Sequence, residues 1–294
     1  MPGRPDVTAL HFERDRPRLR AVAYRILGSL GEADDALQDA WLRADRADTS
    51  QVENLSGWLT TVVARVCLNM LRARDTRREE PLEEGPRTGT SATDPAEEAQ
   101  LADEVGIALL IVLDTLGPAE RLAFVLHDMF DVPFDDIAAM LGKTPAATRQ
   151  LASRARRRVR GVPVPDADPP RRRRAVDAYL AATRGGDFDA LVSLLHPDVV
   201  LRADAAVVPT PEPFAVTGVE PVARGAMASM ARARFTGVVL VDGRVGLAMA
   251  EHGRLRVVLR FTFADDDRDD RITGIDVIAE PDRLRELHIS GMGA

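Results

Sequence analysis

The chain has 294 residues and 45% hydrophobic content, enough for two or three small domains and too much for global disorder. No apolar run approaches the roughly 20 residues that span a bilayer, and the opening MPGRPDVTAL has no apolar signal core, so a cytoplasmic protein without membrane contact is expected. The single cysteine, Cys67, excludes an internal disulfide and a cysteine-cluster zinc site. The net charge of -7 excludes less, because a polyanion feels the field within about 10 Å. Between Pro145 and Arg160 stand Arg149, Arg154, Arg156, Arg157, Arg158 and Arg160, with no acid.

Residues 8–74 predict a helical domain. Phe12, Leu19, Val22, Ala23, Ile26 and Leu27 repeat at helical spacing; Ser29 and Glu32 form a capping-box pattern that opens a second helix with Ala33, Leu37, Ala40, Trp41 and Ala44 inward. After a loop from Asp45 to Leu55, Ser56 is expected to cap a third helix with Leu59, Val62, Val63, Val66 and Met70 on one side. From Asp75 the period is lost, and residues 75–96 have the composition of a flexible linker.

A second helical domain is expected over 97–160. Leu101, Val105, Leu109 and Leu116 mark one helix, and Leu122, Val125, Leu126 and Met129 the next after Gly117-Pro118. A short helix from Phe134 to Leu141 and a turn at Gly142-Lys143 lead to Thr144, a good N-cap, and Pro145, a good first helical residue. The segment 134–151, FDDIAAMLGKTPAATRQL, fits a helix-turn-helix whose second helix enters the major groove of DNA by its N-terminal end. Ala147, Leu151, Ala155 and Val159 form its packing face, which leaves Thr148, Arg149, Ser153, Arg154, Arg156 and Arg157 outward. Arginine reads guanine edges bidentately or neutralises phosphates.

A proline-rich linker, 161–170, precedes an α+β domain over 171–290. Helices are expected at about Arg174 to Arg184, Asp187 to Leu195 and Val219 to Arg234. Strands are expected at Val199 to Leu201, Val238 to Val241, Val245 to Met249, Leu255 to Phe263 and Ile272 to Ile278, in a mostly antiparallel sheet.

The segments 36–44, ALQDAWLRA, and 57–72, GWLTTVVARVCLNMLR, resemble the second conserved region of the extracytoplasmic-function (group IV) sigma factors of RNA polymerase, and the helix-turn-helix resembles their fourth region. The resemblance implies a promoter-recognition subunit that binds core RNA polymerase, at its clamp helices and flap, and promoter DNA. By position, Asp35, Gln38 and Asp39 would face polymerase. Asn54, Ser56, Trp58, Thr61, Arg65, Asn69 and Arg72 would meet the opened -10 strand, while Thr144, Thr148, Arg149, Ser153, Arg154 and Arg157 would read the -35 element. Trp58 serves either as a stacking surface or as a core anchor, and Arg72 and Arg74 either touch phosphates or are idle surface charge.

The last region, with LLHPDVV at 194–200 and ITGIDVIAEPDRL at 272–284, resembles the SnoaL-like branch of the NTF2-like superfamily, as found at the end of SigJ-like sigma factors. That resemblance implies an α+β cone which modulates activity by folding against the sigma domains, with Asp204, Glu280, Pro281, Asp282, Arg283 and Leu284 as regulatory contacts and Glu280 to Leu287 touching the helix-turn-helix domain or the linker. The chain departs from the group's motifs at Glu80-Pro81-Leu82-Glu83-Glu84 and at Asp204-Ala205-Ala206-Val207-Val208. Two alternatives stand beside it: an NTF2-like enzyme fused to a DNA-binding module, with His196, Asp204, His252 and Asp276 as candidates, and a one-component regulator sensing a small ligand in the cone. No metal or organic cofactor is implied, catalysis is not expected, and the oligomeric state stays open.

Overall fold

The computed structural model describes residues 7–79, 106–161, 169–207, 212–264 and 271–292. These divide into two compact units: 7–79 with 116–156, and 106–115 with 157–292. The division passes through the segment expected to be one helix-turn-helix domain.

The first unit opens with three helices packed on one another: α1 (Val7–Leu27), α2 (Leu30–Ala44) and α3 (Leu55–Glu79). The apolar stripe of α1 is buried as its spacing predicts, and Trp41 stacks at 5.2 Å from Phe12. Ser29 caps α2 by accepting from the Glu32 amide, and the Glu32 carboxylate pairs with Arg74. The cap of α3 is Asn54, not Ser56: its side-chain oxygen accepts from the Gly57 amide at 2.9 Å. The helix also runs to Glu79, five residues into the expected linker, the rest of which lies outside the described residues, as do Leu101 and Val105.

The last residue of α4 (Ile107–Asp114) is followed by the rest of the first unit. There α5 (Pro118–Phe124) runs into a π-helical turn, Val125–Met129, then α6 (Phe134–Leu141) and α7 (Pro145–Arg160). Gly142 ends α6 at φ 64°, a left-handed turn that a side chain would strain. Thr144 caps α7 as expected, accepting from the Ala147 amide at 3.2 Å. Helices α5 and α6 pack on α3, and the Arg25 guanidinium lies over the Phe130 ring.

The second unit holds α4, the last turn of α7, and an α+β domain. Helices α8 (Pro169–Gly185) and α9 (Phe188–Leu194) come before the sheet, and α10 (Val219–Ala228) and α11 (Met230–Ala233) within it. The expected single helix from Val219 to Arg234 is broken at Ser229, whose hydroxyl donates back to the Ala226 carbonyl. The strands are β1 (Leu195–Ala203), β2 (Phe214–Thr217), β3 (Thr236–Val241), β4 (Arg244–Glu251), β5 (Arg254–Phe263), β6 (Ile272–Ile278) and β7 (Ile289–Ser290), with α12 (Pro281–Glu286) before the last. Their order is β2-β1-β6-β5-β4-β3-β7, antiparallel except for β1 beside β6. The order of helices followed by a mostly antiparallel sheet is the expected α+β arrangement; β2 and β7 were too short to announce themselves in the sequence.

One face of the sheet carries the core with α8 to α10, built from Val176, Tyr179, Leu191, Val199, Val222 and Ile275 among others. Helix α4 is seated on β3, β4 and β5. It fits because Gly237 has no side chain: a Cβ there would stand 2.9 Å from the Ala108 amide nitrogen. The Asp114 carboxylate closes the seat by accepting from the Leu255 amide at 2.9 Å. Ile107, Leu110, Ile111, Val112 and Leu113 are buried, each worth about 1.5–3 kcal/mol.

Candidate nucleic-acid interface

Along α3, Trp58, Thr61, Arg65, Asn69 and Arg72 recur every three or four residues and so share one face. Arg65, Asn69 and Arg72 are exposed, and Trp58 and Thr61 half-buried. The Thr61 hydroxyl donates to the Gly57 carbonyl and keeps its own acceptor capacity. The face carries two exposed cations and an amide that is donor and acceptor at once, with an aromatic ring at its N-terminal end. That combination suits an unpaired strand, whose bases need stacking and whose phosphates need charge.

Beside the start of α3 lies a cleft of about 780 Å³ lined by Val7, His11, Asp48, Thr49, Asn54 and Ser56 among others. Its rim is held by local polar bonds. Asp48 accepts from the Ser50 amide, and these bonds with Ser50 hold its carboxyl below the usual carboxylate range. Ser56 accepts from the Arg14 guanidinium at 3.0 Å, and its hydroxyl beside Asp15 keeps that carboxyl low as well. Asn54 and Ser56 therefore shape the cleft as well as line it.

Arg74 departs from both sequence readings. It is 6% exposed, donates to the Leu27 carbonyl and pairs with Glu32, so it ties the end of α1 to α2 instead of reaching a phosphate. On α2, Asp35, Gln38 and Asp39 are exposed on one face, Asp39 within 3.5 Å of Arg43. Leu42 lies one turn further and is 46% exposed, an apolar centre within an acidic face that the sequence pattern did not single out. Its signal was a leucine three and four residues after Asp39 and Gln38, off the buried stripe.

On α7 the packing face is Thr148, Leu151, Ala152 and Ala155. Thr148 must be withdrawn from the outward set: it is fully buried, and its hydroxyl donates to the Thr144 carbonyl. Thr144, Arg149, Ser153, Arg154 and Arg157 are exposed. Arg149 lies 5.7 Å over the Phe134 ring, which holds a cation near the helix N-terminus. Arg154 is within 2.9 Å of Glu120 and Arg156 within 2.5 Å of Asp128, so part of the positive face is already neutralised.

In the second unit Asp204 is 2% exposed. One carboxylate oxygen accepts from the Ala279 and Glu280 amides, at 2.8 and 2.9 Å, and meets Arg283 at 3.5 Å. Asp204, Glu280 and Arg283 are thus brought together, with Pro281, Asp282 and Leu284 on the short helix they anchor. What this fixes is the end of β6 onto the end of β1. The contact with residues of α7 falls a few residues later, where the Gly291 amide donates to the Arg158 carbonyl and Gly161 packs beside Leu240 and Ser290. The enzyme candidates do not converge: His196 accepts from the Asp198 amide in its own turn, His252 sits in the β4–β5 turn at φ 50°, and Asp276 lies 3.8 Å from Arg260 on the sheet. Among the described residues no group of three or more histidine, cysteine or acidic side chains is placed to hold a metal, and no helix is long and apolar enough to cross a membrane.

A three-helix bundle followed by a helix-turn-helix defines a class. Residues 11–77 match the model of Sigma-70 region 2 and residues 107–159 that of Sigma-70, region 4. The chain belongs to the extracytoplasmic-function (ECF) RNA polymerase sigma factors. It is 45% identical over 200 residues to the ECF RNA polymerase sigma factor SigJ of Mycobacterium tuberculosis, covering 66% of this chain and 64% of the relative, just under two thirds of its length. It is 37% identical over 205 residues to the probable ECF RNA polymerase sigma factor SigI of the same species, covering 68% and 71%. Among solved structures, the crystal structure of M. tuberculosis SigJ aligns over 94% of this chain and 98% of that one, at 34% identity and a TM-score of 0.45.

Proposed function

We propose that this chain directs core RNA polymerase to promoters. Helix α7 reads the -35 element with Thr144, Arg149, Ser153, Arg154 and Arg157. The cleft at Asn54 and the α3 face from Trp58 to Arg72 receive the opened -10 strand, and the α2 face with Asp35, Gln38, Asp39 and Leu42 meets polymerase. The observation that carries the reading is the α3 face, because a stacking ring, an amide and two arginines in line beside a cleft have a use in a protein that holds unpaired DNA. A one-component repressor has no need of them.

Control by the C-terminal unit is part of the same proposal, and its support is the seat of α4 on the sheet. The first helix of the Sigma-70 region 4 match is covered by strands of the C-terminal domain, so whatever shifts that sheet shifts a helix of the -35-reading region. Turnover is not proposed: His196, Asp204, His252 and Asp276 have separate structural partners or positions. Nor is a ligand proposed for the C-terminal domain.

The test is open-complex formation with core polymerase. Trp58→Ala and Asn69→Ala are expected to reduce it on duplex promoters and to cost less on a pre-melted bubble, where unpairing is already complete. Equal loss on both templates, with a lowered melting temperature for Trp58→Ala, would make Trp58 a core residue and remove the reading.

A further inference from the structure

We infer that Glu120 is the positioning residue for base reading by Arg154: its carboxylate holds the Arg154 guanidinium by Nε and so presents the terminal nitrogens to a guanine of the -35 duplex. This rests on the reading of α7 given above and names the residue that sets its selectivity at one base pair. Both side chains belong to the first unit.

The exposed strip of α7 runs through Ala146, Gln150 and Ser153, opposite the buried Thr148, Leu151, Ala152 and Ala155. At about 100° per residue, Arg154 falls on one flank of that strip, and Arg149 and Arg156 fall on the other. Each flank is held from outside the helix. Arg154 Nε lies 2.9 Å from Glu120 Oε1 on α5, Arg149 stands over the Phe134 ring, and Arg156 pairs with Asp128. The Glu120 side chain is 22% exposed and that of Arg154 56%, so the acid is the fixed member and the arginine is the one it places.

What the pair leaves free decides the partner. With Nε engaged, the N–H groups on Nη1 and Nη2 remain, and two of them match O6 and N7 of guanine end-on. The carboxylate also offsets the charge of the arginine. An arginine intended for a phosphate gains from its full charge, and an acid 2.9 Å away cancels that gain and repels the phosphate as well. A neutral base edge asks for directed N–H groups instead of net charge. A side chain already tied at Nε also loses less freedom when it meets that edge. An ion pair with one member so exposed contributes little to stability, so its removal is read on DNA and not on folding.

The test measures binding of the full chain, by fluorescence anisotropy, to a -35 duplex, to a set in which each G·C pair in turn is changed to A·T, and to a scrambled duplex. Arg154→Ala is expected to lose discrimination at one G·C pair, and Glu120→Ala to lose it at the same pair, by about fivefold or more in each case. Freed of its acid, Arg154 becomes a phosphate contact. Glu120→Ala is therefore expected to bind the scrambled duplex up to about fivefold more tightly at 0.15 M salt, with the slope of log K against log salt steeper by about 0.9. Glu120→Gln keeps an oxygen for Nε and is expected to keep more of the discrimination than Glu120→Ala. The double variant Glu120→Ala, Arg154→Ala is expected to match Arg154→Ala alone, at an unchanged melting temperature. Full discrimination in Glu120→Ala, where Arg154→Ala has lost it, overturns the proposal and leaves the reading of α7 standing. A further loss in the double variant also overturns it, because Glu120 then acts on structure and not through Arg154. If Arg154→Ala keeps discrimination at every pair, Arg154 leaves the reading of α7 and the proposal falls with it.

Discussion

Cys67 sits at the centre of the first unit, and burial pushes its thiol from the usual 9 up to about 12. In the unfolded chain the thiol ionises near 9, whereas the folded protein holds the proton until about 12. The folded state therefore binds more protons in that window, so this part of stability is complete below pH 9 and is lost as pH rises toward 12. The urea midpoint is expected to decline more steeply above pH 9 in the natural chain than in Cys67→Ala, and a parallel decline would show that the thiol is not buried. At this scale much of the site could not be read from sequence. Arg72 and Arg74 are alike as letters, yet one is exposed and the other is buried against Glu32, 42 residues away. Thr148 and Ser153 both look like polar groups on a basic helix, and only the packing of α7 separates them.

Among the elements, those with one apolar stripe were legible, and the helix marked by Leu109 stands as α4, but what covers it was not legible. The stripe of α1 and the Thr144-Pro145 start of α7 follow from spacing and capping, which are local. IALLIVLD in α4 is apolar on every side, which signals a helix covered all round but not by what. Its cover, β3 to β5, begins more than 120 residues later. The seat makes Gly237 a sensitive position: Gly237→Val puts a branched side chain where even a Cβ meets backbone at 2.9 Å. The expected result is a loss of about 2–4 kcal/mol of stability and faster hydrogen exchange at Leu110 to Leu113. Exchange unchanged relative to the natural chain would mean that α4 is held by something other than the sheet.

For the molecule as a whole, the described residues fall into two units, with 106–115 and 157–160 of the segment 97–160 in the second unit and 116–156 in the first. Proline-rich and polar stretches mark where a chain can bend, not which side a neighbouring helix joins. Deleting residues from Asp282 onward removes α12, β7 and Gly291, and with them the Gly291 bond to Arg158 and the strand paired to β3. Run-off transcription by this truncation is expected to differ from that of the full chain, by a factor that stays constant over a wide range of protein concentration, since the contact is within one chain. A factor that changes with dilution would point to contact between chains. The seat of α4 also sets an order of events during synthesis. About 150 residues separate Asp114 from the end of β5, so at about 5–20 residues per second the ribosome delivers the covering strands roughly 7–30 s after the helix. The three helices of the Sigma-70 region 2 match are complete before then, while α4 waits for its cover, so a nascent or prematurely terminated chain carries a finished region 2 match joined to a region 4 match whose first helix is still bare.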